Sequence, residues 1–187
     1  MSAVTAVPFL DLSTAFKALE AEWLETIRAS GAKGSFILGP QTVEFEKEFA
    51  RYVGVKHAIG VANGTDSLIL SLRALGIGPG DEVITTPWTF FASAESISIV
   101  GATPVFVDIR PDTYCLDPDS IVKRLTPKTR AIMPVHIFGH AADMDKVNSV
   151  RHVQAAGAPE RDAKHAACPD AAALADPVHR HPQLIGA

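Results

Sequence analysis

The chain has 187 residues, 47% hydrophobic and 20% charged, which suits one globular domain with a real core. Its formal net charge of −4 gives no electrostatic case for nucleic acid or an anionic membrane surface. Two cysteines, Cys115 and Cys168, make no disulfide framework and fit a reducing cytosol, residues 1–8 lack the basic-then-apolar pattern of a signal peptide, and no uncharged apolar stretch reaches the roughly 18 residues of a membrane helix.

In chain order, Phe16, Leu19, Trp23 and Ile27 recur at helical spacing before Gly31, which predicts a helix over 14–29. A loop at 34–39 follows, and Pro40 suits the first position of a second helix with Phe45, Phe49 and Tyr52 on its apolar face. Residues 57–62 read as a short buried strand, and Asn63-Gly64-Thr65-Asp66 as a turn. A helix through Leu68, Leu72 and Leu75 then stops at Gly76. Strands are expected over 82–85, 104–108 and 130–135, and a helix over 91–100 closed by Gly101. Asp117 caps another helix that has Pro118 at its first position and runs to about residue 125. Asp143-Met144-Asp145 opens a last helix through Val147 and Val150. Short apolar strands alternating with helices predict an α/β fold, with a mainly parallel sheet and right-handed crossovers that put helices on both faces.

Several segments could carry chemistry. Asn63-Gly64-Thr65-Asp66-Ser67 lies between a predicted strand and a helix, where unpaired N–H groups and the helix dipole suit a phosphate; the same residue types also make a plain helix cap. Pro87-Trp88-Thr89-Phe90-Phe91 follows the C-terminal end of a strand, the side on which open α/β sheets bind ligands. An aromatic ring there either stacks on a flat ligand or joins the core. Gly76-Ile77-Gly78-Pro79-Gly80-Asp81 has the look of a dinucleotide loop but follows a helix and precedes a strand, so it reads as a helix stop and turn. His136, at another strand end, is either a ligand contact or a satisfied structural histidine. His165, Cys168, His179 and His181 match no standard zinc spacing and read as composition rather than a metal site.

Taken together, these segments resemble a family. Phe36-Ile37-Leu38-Gly39-Pro40, Gly54-Val55-Lys56-His57-Ala58, Asn63-Gly64-Thr65-Asp66-Ser67-Leu68 and the 76–84 segment come first in family order. Pro87-Trp88-Thr89-Phe90, Gly101-Ala102-Thr103-Pro104-Val105-Phe106-Val107-Asp108 and Pro134-Val135-His136 through Asp143-Met144-Asp145 complete the series. The set is similar to the DegT/DnrJ/EryC1/StrS aminotransferases over residues 7–150. The resemblance implies a truncated major domain of the pyridoxal 5'-phosphate (PLP)-dependent transferase fold type I, working as a cytoplasmic homodimer. It implies transfer of an amino group from an amino acid such as glutamate to a keto sugar on a nucleotide, in polysaccharide or antibiotic sugar biosynthesis. By position, Gly64, Thr65 and Asp66 would hold the PLP phosphate and Phe90 would stack on its ring. The 34–40 loop would lie near the subunit interface and substrate.

The resemblance fades near Arg151, dividing the chain into 1–150, the front of a PLP-binding domain, and 151–187, an Ala/His/Pro-rich tail. Asp162-Ala163 stands at roughly the distance of the family's ring aspartate, but Pro159-Glu160-Arg161 before it is no buried strand. None of the eight lysines, Lys164 included, has the family's Schiff-base surroundings. The expectation is a transaminase by ancestry whose catalytic lysine is absent from these residues, with a tail that is out of frame or rearranged. The competing expectation is a non-catalytic fragment acting as a binding or dimerisation module.

Overall fold

A computed structural model describes residues 10–155, and within them two compact units separate after Ala58.

The first unit holds two helices, α1 (Ser13–Ala32) and α2 (Pro40–Val53). Helix α1 runs past the expected stop at Gly31 and ends before Gly34, whose φ of 62° only glycine adopts readily. Its start is held by Asp11, whose carboxylate accepts from the Ser13 N–H at 2.9 Å, the Ser13 hydroxyl at 2.6 Å and the Thr14 hydroxyl at 2.7 Å. The Ser13 and Thr14 hydroxyls favour the charged form and hold the Asp11 carboxyl down at about 2, from the ordinary 3.8. Because the folded value is the lower one, this support is complete above the ordinary value and disappears as pH falls through about 2. The carboxyl resonance of Asp11 should therefore titrate near 2, and Ser13→Ala with Thr14→Ala should return it toward 3.8; an unchanged midpoint in the double variant would sink the assignment.

Helix α2 starts at Pro40 as expected and closes on Gly54 in the left-handed region, φ 76°. It buries Ala50 and Val53. The predicted apolar faces, Phe16 with Trp23 on α1 and Phe45 with Phe49 on α2, form ring pairs but stay exposed.

The second unit is a three-layer α/β arrangement. Its strands are β1 (Glu82–Thr85), β2 (Thr103–Phe106) and β3 (Thr129–Ile132), all parallel, in the order β2-β1-β3. The helices are α3 (Gly64–Ala74), α4 (Ala92–Ile99), α5 (Pro118–Ile121) and α6 (Met144–Ala155). Successive residues of β1 face opposite ways. Val83 packs with Leu72, Ile77, Ile97 and Ala102, so α3 and α4 cover that face. Ile84 packs with Leu116, Ile121, Met144 and Val147, so α5 and α6 cover the other. The right-handed rule explains this. The β1-to-β2 connection steps one way along the sheet and the β2-to-β3 connection steps back across β1, so their helices fall on opposite faces.

Two expectations are corrected. Residues 57–62 form no strand; an apolar run becomes a strand only by completing a ladder, this one does not join the sheet, and Ile59 is 81% exposed. Strands β2 and β3 end earlier than predicted, because each is bounded by its pairing with the four residues of β1. The last predicted helix before β3 tightens after Ile121 into a 3₁₀ turn, Val122–Arg124. The 76–81 segment is a stop and turn: Gly76 and Gly80 take positive φ, and the Gly78 N–H donates to the Asp81 carboxylate at 3.0 Å. At Gly101, φ 86°, a Cβ would stand 2.9 Å from the Pro79 ring, so the turn after α4 is closed to larger residues.

No helix among the described residues is long and apolar enough to cross a membrane. The fold class and its two covered faces are as the sequence reading expected. The tail residues Asp162, Lys164, His165, Cys168, His179 and His181 lie outside the described residues.

Candidate functional site

The sheet's own topology selects an edge. The chain leaves the C-terminal end of β1 toward α4 on one face and leaves β3 toward α6 on the other. Adjacent parallel strands whose connections diverge in this way leave a crevice between their C-terminal ends, where open α/β sheets bind ligands. Thr85, fully buried, ties these two ends together: its hydroxyl donates to the Met133 carbonyl at 3.0 Å, beside the Met133 N–H bond to the Ile84 carbonyl at 2.7 Å.

Helix α3 reaches the same edge. Its 11 residues span about 16 Å. It runs down into the Gly76–Asp81 turn, and β1 climbs back about 13 Å over its four residues. A helix and a strand joined by so short a turn run antiparallel, which points the first turn of α3 toward the C-terminal edge of β1, and α3 as a whole packs with α4.

That first turn is both a cap and an open donor set. Asn63, in extended backbone, is the N-cap: its side-chain oxygen accepts from the Asp66 N–H at 2.9 Å, and its amide donates to the Asp66 carboxylate at 3.0 Å. The pair makes the N-cap half of a capping box, while the return bond goes to the Asn63 side-chain amide instead of its backbone N–H. The Asn63 carbonyl takes the Ser67 N–H at 3.1 Å. The N–H groups of Gly64 and Thr65 are left as donors at the positive end of the helix dipole. A Cβ at Gly64 would meet nothing within 4 Å, so an anion can approach the backbone there. The two readings of this turn are therefore compatible, since the cap uses the third N–H and leaves the first two for an anion. Asp66 faces its own cap.

Phe90 lies between β1 and α4, 78% exposed, its carbonyl accepting from the Ser93 N–H at 3.1 Å. Of the aromatics in that segment, Trp88 leans on Tyr114 with ring centroids 6.4 Å apart. The loop at 34–40 belongs to the first unit and exposes Phe36, Ile37 and Leu38, with Leu38 at φ 49°.

His136 sits where β3 leaves the sheet. Its Nδ1 accepts from the Ala142 N–H at 3.0 Å. Nearby, burial pushes the Cys115 thiol above its ordinary value, and Cys115 Sγ lies 3.4 Å from the His140 carbonyl. In the native chain Cys115 should react with iodoacetamide far more slowly than after unfolding in urea; equal rates by peptide mapping would contradict the packed core around it.

One residue of this edge, Thr85, escaped the sequence reading, whereas Asn63 stood in the turn read as a phosphate site or a helix cap. Thr85 gave no signal beyond a β-branched residue in a strand.

Comparison with known proteins agrees with this architecture. The model of the DegT/DnrJ/EryC1/StrS aminotransferase family matches residues 17–160. The chain is 49% identical over 144 residues to dTDP-3-amino-3,4,6-trideoxy-alpha-D-glucose transaminase of Streptomyces venezuelae, covering 77% of this chain and 38% of that protein. It is 49% identical to a UDP-N-acetyl-3-dehydro-alpha-D-glucosamine 3-aminotransferase of Acidithiobacillus ferrooxidans, covering 77% and 39%. Among solved structures, S. venezuelae DesV matches with TM-score 0.76 and 48% identity, over 79% of this chain and 40% of that one. NtdA of Bacillus subtilis, with bound cofactor PMP, matches with TM-score 0.77 and 35% identity, over 81% and 35%. The chain spans about two fifths of the length of these relatives.

Proposed function

The chain belongs to the DegT/DnrJ/EryC1/StrS aminotransferase family, and we propose that residues 59–150 supply the phosphate cradle and one ring-binding face of a PLP site. The reaction of such a site, once a Schiff-base lysine completes it, is transfer of an amino group from an amino acid such as glutamate to a keto sugar carried on a nucleotide, in a cytoplasmic homodimer. The observation that carries this reading is the pair of spare N–H groups on Gly64 and Thr65, on the same sheet edge as the exposed ring of Phe90.

The residues present fit the cofactor. A phosphate needs donors, positive potential and a close backbone approach, and the first turn of α3 offers all three. A flat ring needs an apolar face, which the exposed ring of Phe90 offers. Asn63 and Asp66 hold the turn in shape, so Asp66 contributes through the cap. Gly64 and Thr65 bind the phosphate, and Phe90 orients the ring and keeps water from one of its faces. When bound, the cofactor supplies the electron sink for the transfer.

None of the eight lysines has the surroundings of a cofactor-linked lysine, so the 187 residues by themselves hold PLP without a covalent bond and transfer no amino group. Titration with PLP should shift the cofactor absorbance, while borohydride should fix no label to the protein. A label fixed on one specific lysine would overturn the second half of this reading, and absence of any saturable binding would overturn the first.

A further inference from the structure

We infer that His136 is a positioning residue, neutral with its proton on Nε2, that clasps the loop after β3 and so sets where Phe138 stands on the ligand edge. The ligand side of this inference rests on the function proposed above.

A backbone N–H can only donate. The Ala142 N–H points at His136 Nδ1 from 3.0 Å, so Nδ1 must present its lone pair. A neutral ring with an unprotonated Nδ1 carries its hydrogen on Nε2, and the doubly protonated ring cannot make this bond.

The bond closes a strained segment. Phe138 and Gly139 both take left-handed backbone, φ 52° and 77°, in the 3₁₀ turn Ile137–Gly139. For phenylalanine that conformation is unfavourable and persists only where its surroundings impose it. The surroundings are on hand. One end of the loop is pinned to the sheet through Thr85 and Met133, three residues before His136. The other end is Ala142, buried among Ile84, Cys115 and Val147. Between them, His140 donates its N–H to the Ile137 carbonyl at 2.9 Å and offers its own carbonyl to Cys115 Sγ. The side chain this brace presents is Phe138, 80% exposed. It follows the C-terminal end of β3 in the chain, as Phe90 follows that of the neighbouring strand β1.

Three readouts on the 187-residue chain test this. The ¹⁵N shifts of the His136 ring should report an unprotonated Nδ1 and a protonated Nε2. Exchange of the Ala142 amide should quicken about tenfold in His136→Ala and stay near wild type in His136→Asn, whose side-chain oxygen occupies the place of Nδ1. PLP affinity should fall together in His136→Ala and Phe138→Ala and be restored in His136→Asn. A proton on Nδ1, or Ala142 exchange indifferent to His136→Ala, overturns the clasp. Wild-type affinity in Phe138→Ala overturns the positioning of Phe138. If the wild-type chain binds no PLP, the proposed function fails and takes the ligand role of Phe138 with it, while the ring shifts and amide exchange still decide the clasp.

Discussion

Replacing Gly64 with proline should leave α3 folded and remove most of the chain's affinity for PLP. Gly64 is the first residue of the helix, the one position where proline is welcome, because the missing N–H has no partner within the helix. Proline also demands an extended residue before it, and Asn63 at φ −164° and ψ 175° already is one. The space beside Gly64 is empty to 4 Å, so the ring meets no neighbour. What the substitution deletes is one donor aimed at an anion. A hydrogen bond to a charged group is worth about 1.5–3 kcal/mol, or about ten- to a hundredfold in dissociation constant. Gly64→Ala keeps the donor and meets no protein atom, so it should bind more tightly than the proline variant and lose only what its Cβ takes from the anion's approach. Titrations of both variants, with circular dichroism to confirm the helix, separate the two effects. Equal affinity in the proline and alanine variants would remove the phosphate cradle from α3.

Much of this edge was legible in the sequence, and the gaps have physical causes. The run Val83-Ile84-Thr85 reads as a strand because β-branched residues buried on both faces leave no alternation. Asp117-Pro118 reads as a helix start because cap and first-turn chemistry is local. Strand order is not local, so the crevice between β1 and β3 could not be placed until the sheet was known. Residues 57–62 failed for the same reason, since a strand is a pairing rather than a composition. The apolar faces expected on α1 and α2 stay exposed and α2 buries Ala50 and Val53 instead, because periodicity says nothing about what covers a face. His136 was seen and left open between ligand contact and structural residue. Its partner, the Ala142 N–H, is six positions away, and the loop that joins them turns through two left-handed residues that no pattern announces.

Ile84→Ala should be among the most destabilising single truncations in the second unit, costing about 2–5 kcal/mol. Ile84 is fully buried on the central strand, in one core cluster with Ile121 of α5 and with Met144 and Val147 of α6. Its backbone already bonds to β3, so the neighbouring strand cannot collapse toward the vacated space without breaking the Met133 N–H bond to the Ile84 carbonyl. A site that cannot relax keeps its cavity, which places the cost high in that range. Ile84→Val should lose about 0.5–1.5 kcal/mol. Urea unfolding should report both as a lower midpoint at constant slope. An alanine variant no less stable than the valine one would mean that the sheet is not braced as described. The ligand readout then divides core from site: Ile84→Ala removes no donor and no exposed ring, so its folded fraction should bind PLP as wild type does. Gly64→Pro should behave in the opposite way, with stability retained and affinity lost.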